Sequence, residues 1–348
     1  MYNQKAYFSI CSGLSNRNMK IYWLDFLSTY ALFIAGVFLA ITQAGLLSII
    51  GIVIGALAAY RCGSFMHEVV HFSPQERQQQ RFRYGWNILF GIPFITASIL
   101  YMSHLEHHRT SNFGTKNDPE YLPIKNRSYA NLLKFIVSDV LTPPTLVILR
   151  TFLRPLLWIS PQLRSFMGDR GSALIINSAY TPTRSVKPDM FDKIAMTFSS
   201  LLLYLYLTVI FTGLIPLLVA LKIFAVIFIS LFINGVRTLV AHRFNNHSLE
   251  TLDKEAQLLD SINIVTTPLA GILFAPVGLR FHALHHMLPT LPYHDLAEAH
   301  ARLMKALPAD DTYHAVNIPT ILQAFVELRQ EGNAPREHAK GAIASYKN

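Results

Sequence analysis

The chain has 348 residues, of which 51% are hydrophobic and only 15% charged, with a formal net charge of +9. A soluble domain carries about 25% charged residues, so an ordinary soluble protein is excluded, and the same apolar content excludes intrinsic disorder. Two cysteines, Cys11 and Cys62, are too few for a disulfide scaffold or a four-cysteine zinc site. With a mean hydropathy of +0.31, the basic charge reads as a match to an anionic membrane face rather than to nucleic acid.

Residues 1–25 form a polar N-terminal segment. From Phe26 to Tyr60 no residue is charged. That run is too long for one span of about 20 residues and long enough for two, with Gln43-Ala44-Gly45 as the turn. It predicts spans at about 26–42 and 46–65, and a second span following so closely argues against a cleavable signal peptide. The next uncharged run, Trp86–Ser103, contains Pro93. The stretch Leu141–Trp158, with Arg150, Arg154 and three prolines, reads as interfacial. A second apolar block, Ile194–Val236, holds one charge, Lys222. It predicts spans at about 194–214 and 216–236, broken near Thr212-Gly213 and Pro216. The run Ser261–Leu279 contains Pro268 and Pro276. It and Trp86–Ser103 each lie between two histidine clusters. A single crossing would put those clusters on opposite faces, so both runs are expected to pack against or dip into the membrane.

Of the 30 Lys and Arg residues, only Lys222 lies inside either block. By the positive-inside rule everything outside the hairpins faces the cytoplasm. The expected fold is an all-α membrane protein of four transmembrane helices in two hairpins, plus a cytoplasmic helical cap. The membrane domain is expected over 26–305, followed by a polar cytoplasmic tail at 306–348 that shows no chemistry.

The 14 histidines carry the most information, because they cluster. The groups are His67-Glu-Val-Val-His71, His104-Leu-Glu-His107-His108, His242 with His247 five residues on, and His282-Ala-Leu-His285-His286. Offsets of three and four place side chains on one helix face. His67 and His242 follow the ends of two different apolar blocks and, if the helices continue, sit roughly 10 Å beyond them. Two spans therefore deliver histidines to one depth on one face. Surface histidines account for His294, His300, His314 and His338, but not for three compact groups. Eight or nine imidazoles exceed the four ligands of one zinc, and two ions would use the set; imidazole suits zinc, copper, iron and nickel alike. His67-Glu68-x-x-His71 also matches the zinc-protease pattern with Glu68 as general base, a reading that leaves the other clusters without a role.

Boxes of the form HxxxH, HxxHH and HxxHH on two membrane hairpins resemble the membrane fatty acid desaturase superfamily. The resemblance covers roughly residues 60–305 and includes HLEHHRTSNFGTKNDPEY, RTLVAHRF around His242, and FHALHHMLPTLPYHDLAEAH. It implies a non-haem di-iron centre that uses O2, with His67, His71, His104, His107, His108, His242, His282, His285 and His286 as ligands. Ligating histidines need their other ring nitrogen held; Glu68, Glu106, Asp118 and Asp260 are the candidates. The chemistry is coherent, because zinc has no redox chemistry and imidazole survives near an oxidant better than thiolate does.

The reading taken from this resemblance is a lipid-linked fatty acyl desaturase. A three-residue gap in the first box is similar to that group, whereas the acyl-CoA type usually has four. His282, rather than Gln, opens the last box, unlike front-end desaturases. The alternative is a lipid hydroxylase, or a carotenoid hydroxylase or ketolase, of the same superfamily. The chain shows no cytochrome b5 domain and no iron–sulfur cysteine cluster. Electrons are therefore expected from a separate ferredoxin or cytochrome b5 type donor, docked by charge on the basic face. The expected location is a bacterial inner membrane, with the site facing the cytoplasm.

Overall fold

The computed structural model describes residues 3–122, 124, 128–163, 174–177, 180 and 187–331. His338 and the predicted tail from residue 332 onward lie outside the described residues. The chain divides into two compact units. A hairpin unit comprises Asn18–Glu106 and Val137–Gly235, and a histidine-rich unit comprises Met1–Arg17, His107–Ile136 and Val236–Asn348.

In the hairpin unit, helix Met19–Thr42 starts where the Asn18 side chain accepts from Lys20 N at 3.1 Å. A short turn through Gly45, at φ +59°, leads into helix Gly45–Val69. These two helices cross closely on glycine. A Cβ at Gly51 would stand 2.4 Å from Ala40 N, and one at Gly36 would stand 2.5 Å from Gly55 N. Backbone cannot yield there as a side-chain tip can. Gly51→Ala is therefore expected to lower stability by about 1–3 kcal/mol, read as a drop in melting temperature of the detergent-solubilised protein. An unchanged melting temperature would disprove the close crossing.

The run Trp86–Ser103 is no straight span. A π-helical turn at Asn87–Gly91 gives way to Ile95 at φ +61°. The buried Asn87 side chain then donates to Ser98 Oγ at 2.9 Å and accepts from Ser98 N at 2.8 Å. The run folds back on itself.

The second block forms helices Met190–Phe211 and Leu217–Leu239. The first opens on a reciprocal cap between Asp189 and Asp192, and Gly213 takes φ +72° in the connection. Lys222 Nζ donates to the Gln43 carbonyl at 2.8 Å, joining the start of helix Leu217–Leu239 to the turn of the first hairpin.

One difference from the sequence reading stands out. Leu141–Trp158 does not form an isolated interfacial piece. Helix Tyr129–Leu153 runs through Pro143 and Pro144 and is followed by a short helix Leu156–Ile159. Each proline removes a backbone donor without ending the helix. Among the described residues, five helices rather than four are long and apolar enough to cross a membrane, by length and composition.

The histidine-rich unit packs around Tyr7, Leu284, Ala299, Leu303, Tyr313 and Val316, all fully buried. Residues 263–264 and 317–318 pair in parallel. Buried Asn263 donates to Asn317 Oδ1 at 2.9 Å and accepts from Leu284 N at 3.1 Å. Antiparallel bridges His242↔Ser261 and Asn263↔Phe281 complete a small backbone frame. That frame fixes His242 against the start of helix His282–Met287. The run Ser261–Leu279 supplies the frame and then a seven-residue helix, Pro268–Phe274, so it too makes no continuous span. Helices Leu296–Ala306 and Ile321–Glu331 follow, with Leu303, Ala324 and Leu328 buried.

Candidate metal centre

Four imidazoles of the histidine-rich unit converge. His107 comes from the short helix His104–His107, and His242 from the backbone frame. His282 and His286 sit one turn apart on helix His282–Met287. His107 Nε2 lies 3.2 Å from His242 Nε2, which lies 2.8 Å from His282 Nε2, which lies 3.1 Å from His286 Nε2. All four offer a nitrogen within 4.8 Å of the others. Metal–nitrogen bonds of about 2.1 Å place neighbouring ligand nitrogens roughly 3.0–3.4 Å apart, so the spacing fits one ion.

The hydrogen bonds point the same way. Asp118 Oδ1 and Oδ2 both lie 2.8 Å from His107 Nδ1. A carboxylate only accepts, so the His107 proton sits on Nδ1 and its Nε2 lone pair faces the cluster. One proton can bridge a single pair of such nitrogens; a cation satisfies all four.

Asp118 is itself held. It accepts from Gly114 N at 2.8 Å and Glu120 N at 2.9 Å, and Gly114 takes φ +69° to make that turn. Burial works against a charged His107 ring, but the Asp118 carboxylate outweighs it and holds His107 above its ordinary pKa. His242 goes the other way. Burial, reinforced by His107 and Arg237, pushes it well below the usual imidazole range, which keeps the ring neutral as a ligand requires.

The remaining box histidines fall into smaller sets. In the hairpin unit, His67, His71 and His104 each offer a nitrogen within 4.8 Å of the other two. Their ring centroids stand 4.5–5.7 Å apart, and Tyr101 stacks on His104 at 4.9 Å. In the histidine-rich unit, the His108 and His285 rings meet edge-on at 4.7 Å. His247 is exposed and belongs to no such group among the described residues. His294 pairs with Asp295 at 2.8 Å and His300 with the Tyr313 hydroxyl at 2.9 Å. His314 is partly buried, outside both groups.

The four candidate carboxylates differ. Asp118 touches a histidine of the tetrad directly. Asp260 Oδ2 stands 3.9 Å from His242 Nδ1, while Oδ1 accepts from the Tyr121 hydroxyl at 3.1 Å and Asn245 N at 2.9 Å. Buried Glu68 accepts a short hydrogen bond from the Tyr22 hydroxyl. Glu106 is buried.

Sequence reasoning missed Tyr22, Tyr121 and Phe113. Tyr121 ties Asp260 to Asn246 N, from which it accepts at 2.9 Å. Phe113 stacks on His107 at 5.3 Å and meets His242 and His286 edge-on. Phe113 and Tyr121 lie just past the second box, where position alone gives no role; Tyr22 is far from any box in sequence.

Comparison with known proteins places this geometry. A family model described as fatty acid desaturase matches residues 43–317. The chain belongs to the fatty acid desaturase family. It is therefore a desaturase-family oxidoreductase, and its apolar helices fit a multi-pass membrane protein. A ceramide hydroxylase of Caulobacter vibrioides (strain NA1000 / CB15N) is 37% identical over 327 residues, covering 92% of this chain and 91% of the relative. No solved structure matches the chain.

Proposed function

We propose that this protein is an O2-dependent hydroxylase of a ceramide-like, amide-linked long-chain lipid. The observation that carries the reading is its near full-length similarity to a ceramide hydroxylase. Family membership is common to desaturation and hydroxylation, so the hydroxylase relative shifts the reading from the acyl desaturase expected from the boxes to the superfamily alternative. Family membership also supersedes the zinc-protease reading of His67-Glu68-x-x-His71.

His107, His242, His282 and His286 would hold one iron, and His67, His71 and His104 would contribute to the other. Two bound irons supply the redox capacity to use O2 against an unactivated C–H bond. The protein's own part is to present imidazole nitrogens in set orientations. Asp118 takes the His107 Nδ1 proton, and the backbone frame holds His242 against His282. Electrons come from a separate ferredoxin or cytochrome b5 type donor.

The topology we propose keeps four crossings, with the boxes on the cytoplasmic face of a bacterial inner membrane. Phe135, in the first part of helix Tyr129–Leu153, packs on Phe244, just past helix Leu217–Leu239. Arg154, just beyond its other end, reaches Met196 and the Lys193 carbonyl at the start of helix Met190–Phe211. Arg150 and Arg154 near its C-terminal end suit a helix lying along the interface.

The test is to express the chain with a matching reductase in a bacterial host supplied with ceramide, and to compare lipids by mass spectrometry. The expected product gains one oxygen atom. A product that loses two hydrogens would restore the desaturase reading, and hydroxylation of ester-linked chains alone would overturn the substrate class.

A further inference from the structure

Two polar side chains of the small backbone frame in the histidine-rich unit, Ser261 and Asn263, are fully buried. They stand two residues apart in an extended chain, so both side chains leave it on the same side. Each holds a different part of the tetrad.

Ser261 is bridged to His242 through the backbone, and its hydroxyl lies 3.4 Å from His242 Nδ1. The hydroxyl has one proton, which it donates to the Gln257 carbonyl at 3.0 Å. Its lone pairs are left to accept, and His242 Nδ1–H can supply the proton. The other ring nitrogen, Nε2, then turns its lone pair toward His107 Nε2 at 3.2 Å and His282 Nε2 at 2.8 Å. Asp260 Oδ2 stands farther from the same Nδ1, at 3.9 Å, beyond hydrogen-bond reach. Gln257 is itself held, because its amide donates to the carbonyls of Thr110 at 2.9 Å and Leu252 at 2.8 Å.

Asn263 acts on the neighbouring helix. The first turn of a helix leaves its amides without partners inside the helix. Helix His282–Met287 has six residues and no side-chain cap at its own start. The Ala283 amide donates instead to the Ile262 carbonyl at 3.3 Å, and the Leu284 amide to Asn263 Oδ1 at 3.1 Å. Asn263 thus caps the helix from 21 residues away. Its amide nitrogen is anchored on Asn317 Oδ1 at 2.9 Å and on the Tyr313 hydroxyl at 3.3 Å. So short a helix has few hydrogen bonds of its own to fix where it begins, and it carries both His282 and His286.

We propose that Ser261 and Asn263 are positioning residues of the tetrad. Ser261 sets the ring of His242, and Asn263 sets the helix that presents His282 and His286. The inference rests on the reading of the tetrad as a metal site.

The test uses the full-length protein in detergent, loaded with cobalt(II) in place of iron. It reads the ligand-field absorption of the bound metal, the metal retained against a graded chelator, and the melting temperature of the metal-free protein. Ser261→Ala and Asn263→Ala are each expected to loosen the tetrad ion about 10-fold, the low end of the usual cost of losing a group that orients a metal ligand. Each should also shift the absorption of that ion. Asn263→Asp keeps an acceptor for the Leu284 amide, and aspartate caps a helix about as well as asparagine does. It is expected to retain the ion as the intact protein does, and it serves if Asn263→Ala fails to fold. Unchanged absorption and retention within twofold in both alanine variants would overturn the proposal, even with a lowered melting temperature, because such residues would support only the fold. Loss of the ion from Asn263→Asp as complete as from Asn263→Ala would overturn the capping role. An intact protein that binds no cobalt at the tetrad would instead overturn the metal reading, and the proposal with it.

Discussion

His282→Ala is expected to reduce product to background and to halve bound iron, to about one ion per chain. His282 Nε2 lies between His242 Nε2 at 2.8 Å and His286 Nε2 at 3.1 Å. Its loss leaves three imidazoles, His107, His242 and His286, around the position of the ion. The protein interior around it is closed: His107, His242 and His282 are 0%, 3% and 4% exposed. A water in its place would supply a weaker ligand than imidazole, so the ion is held less tightly. Iron content by plasma mass spectrometry, beside lipid product, reads both effects. His247→Ala, at an exposed position outside the cluster, should change neither. Full iron and full product in His282→Ala would show that the tetrad is not a metal site.

Asp118→Asn is expected to lower metal affinity or turnover by 10- to 100-fold, the usual cost of losing the partner that orients a ligating histidine. Both Asp118 oxygens lie 2.8 Å from His107 Nδ1, and the same carboxylate accepts from the amides of Gly114 and Glu120. Asparagine keeps the shape but supplies one acceptor oxygen, and turns an amide donor toward a donor. His107 then loses the anion that fixes its proton on Nδ1, and the Nε2 lone pair is no longer committed to the cluster. Iron lost during dialysis against a graded chelator separates this effect from misfolding, with the melting temperature as the check on the Gly114 turn. Retention within twofold of the parent would rule out Asp118 as the orienting group.

Much of the architecture was legible from local pattern. Charge-free runs mark the hairpins because lipid penalises every charge and every open backbone group inside a span. That penalty acts residue by residue, so it survives in a linear reading. The fold-back of Trp86–Ser103 and the broken course of Ser261–Leu279 followed from prolines and from the need to keep histidine clusters on one side. Helix Tyr129–Leu153 was less legible. Two adjacent prolines and two arginines suggested a short interfacial piece, whereas the helix runs on through both prolines.

The metal centre divides in the same way. Spacing alone singled out the candidate histidines, since offsets of three and four select one helix face. The grouping could not be read from it. His107 and His108 are neighbours in sequence, as are His285 and His286, yet only His107 and His286 join the tetrad with His242 and His282. Successive helical residues point about 100° apart, so each box sends its last two imidazoles in different directions. Where those directions lead depends on chain segments far away in sequence. The carboxylates show this most clearly. Glu68, Glu106, Asp118 and Asp260 were equivalent candidates by position. Only folding brings Asp118 onto His107 and sets Asp260 beside His242 and Tyr121. Residue type and periodicity thus determined the spans and the imidazole supply of this protein. The tertiary structure decided which imidazoles meet and which acid faces them, because those are properties of contacts between remote segments.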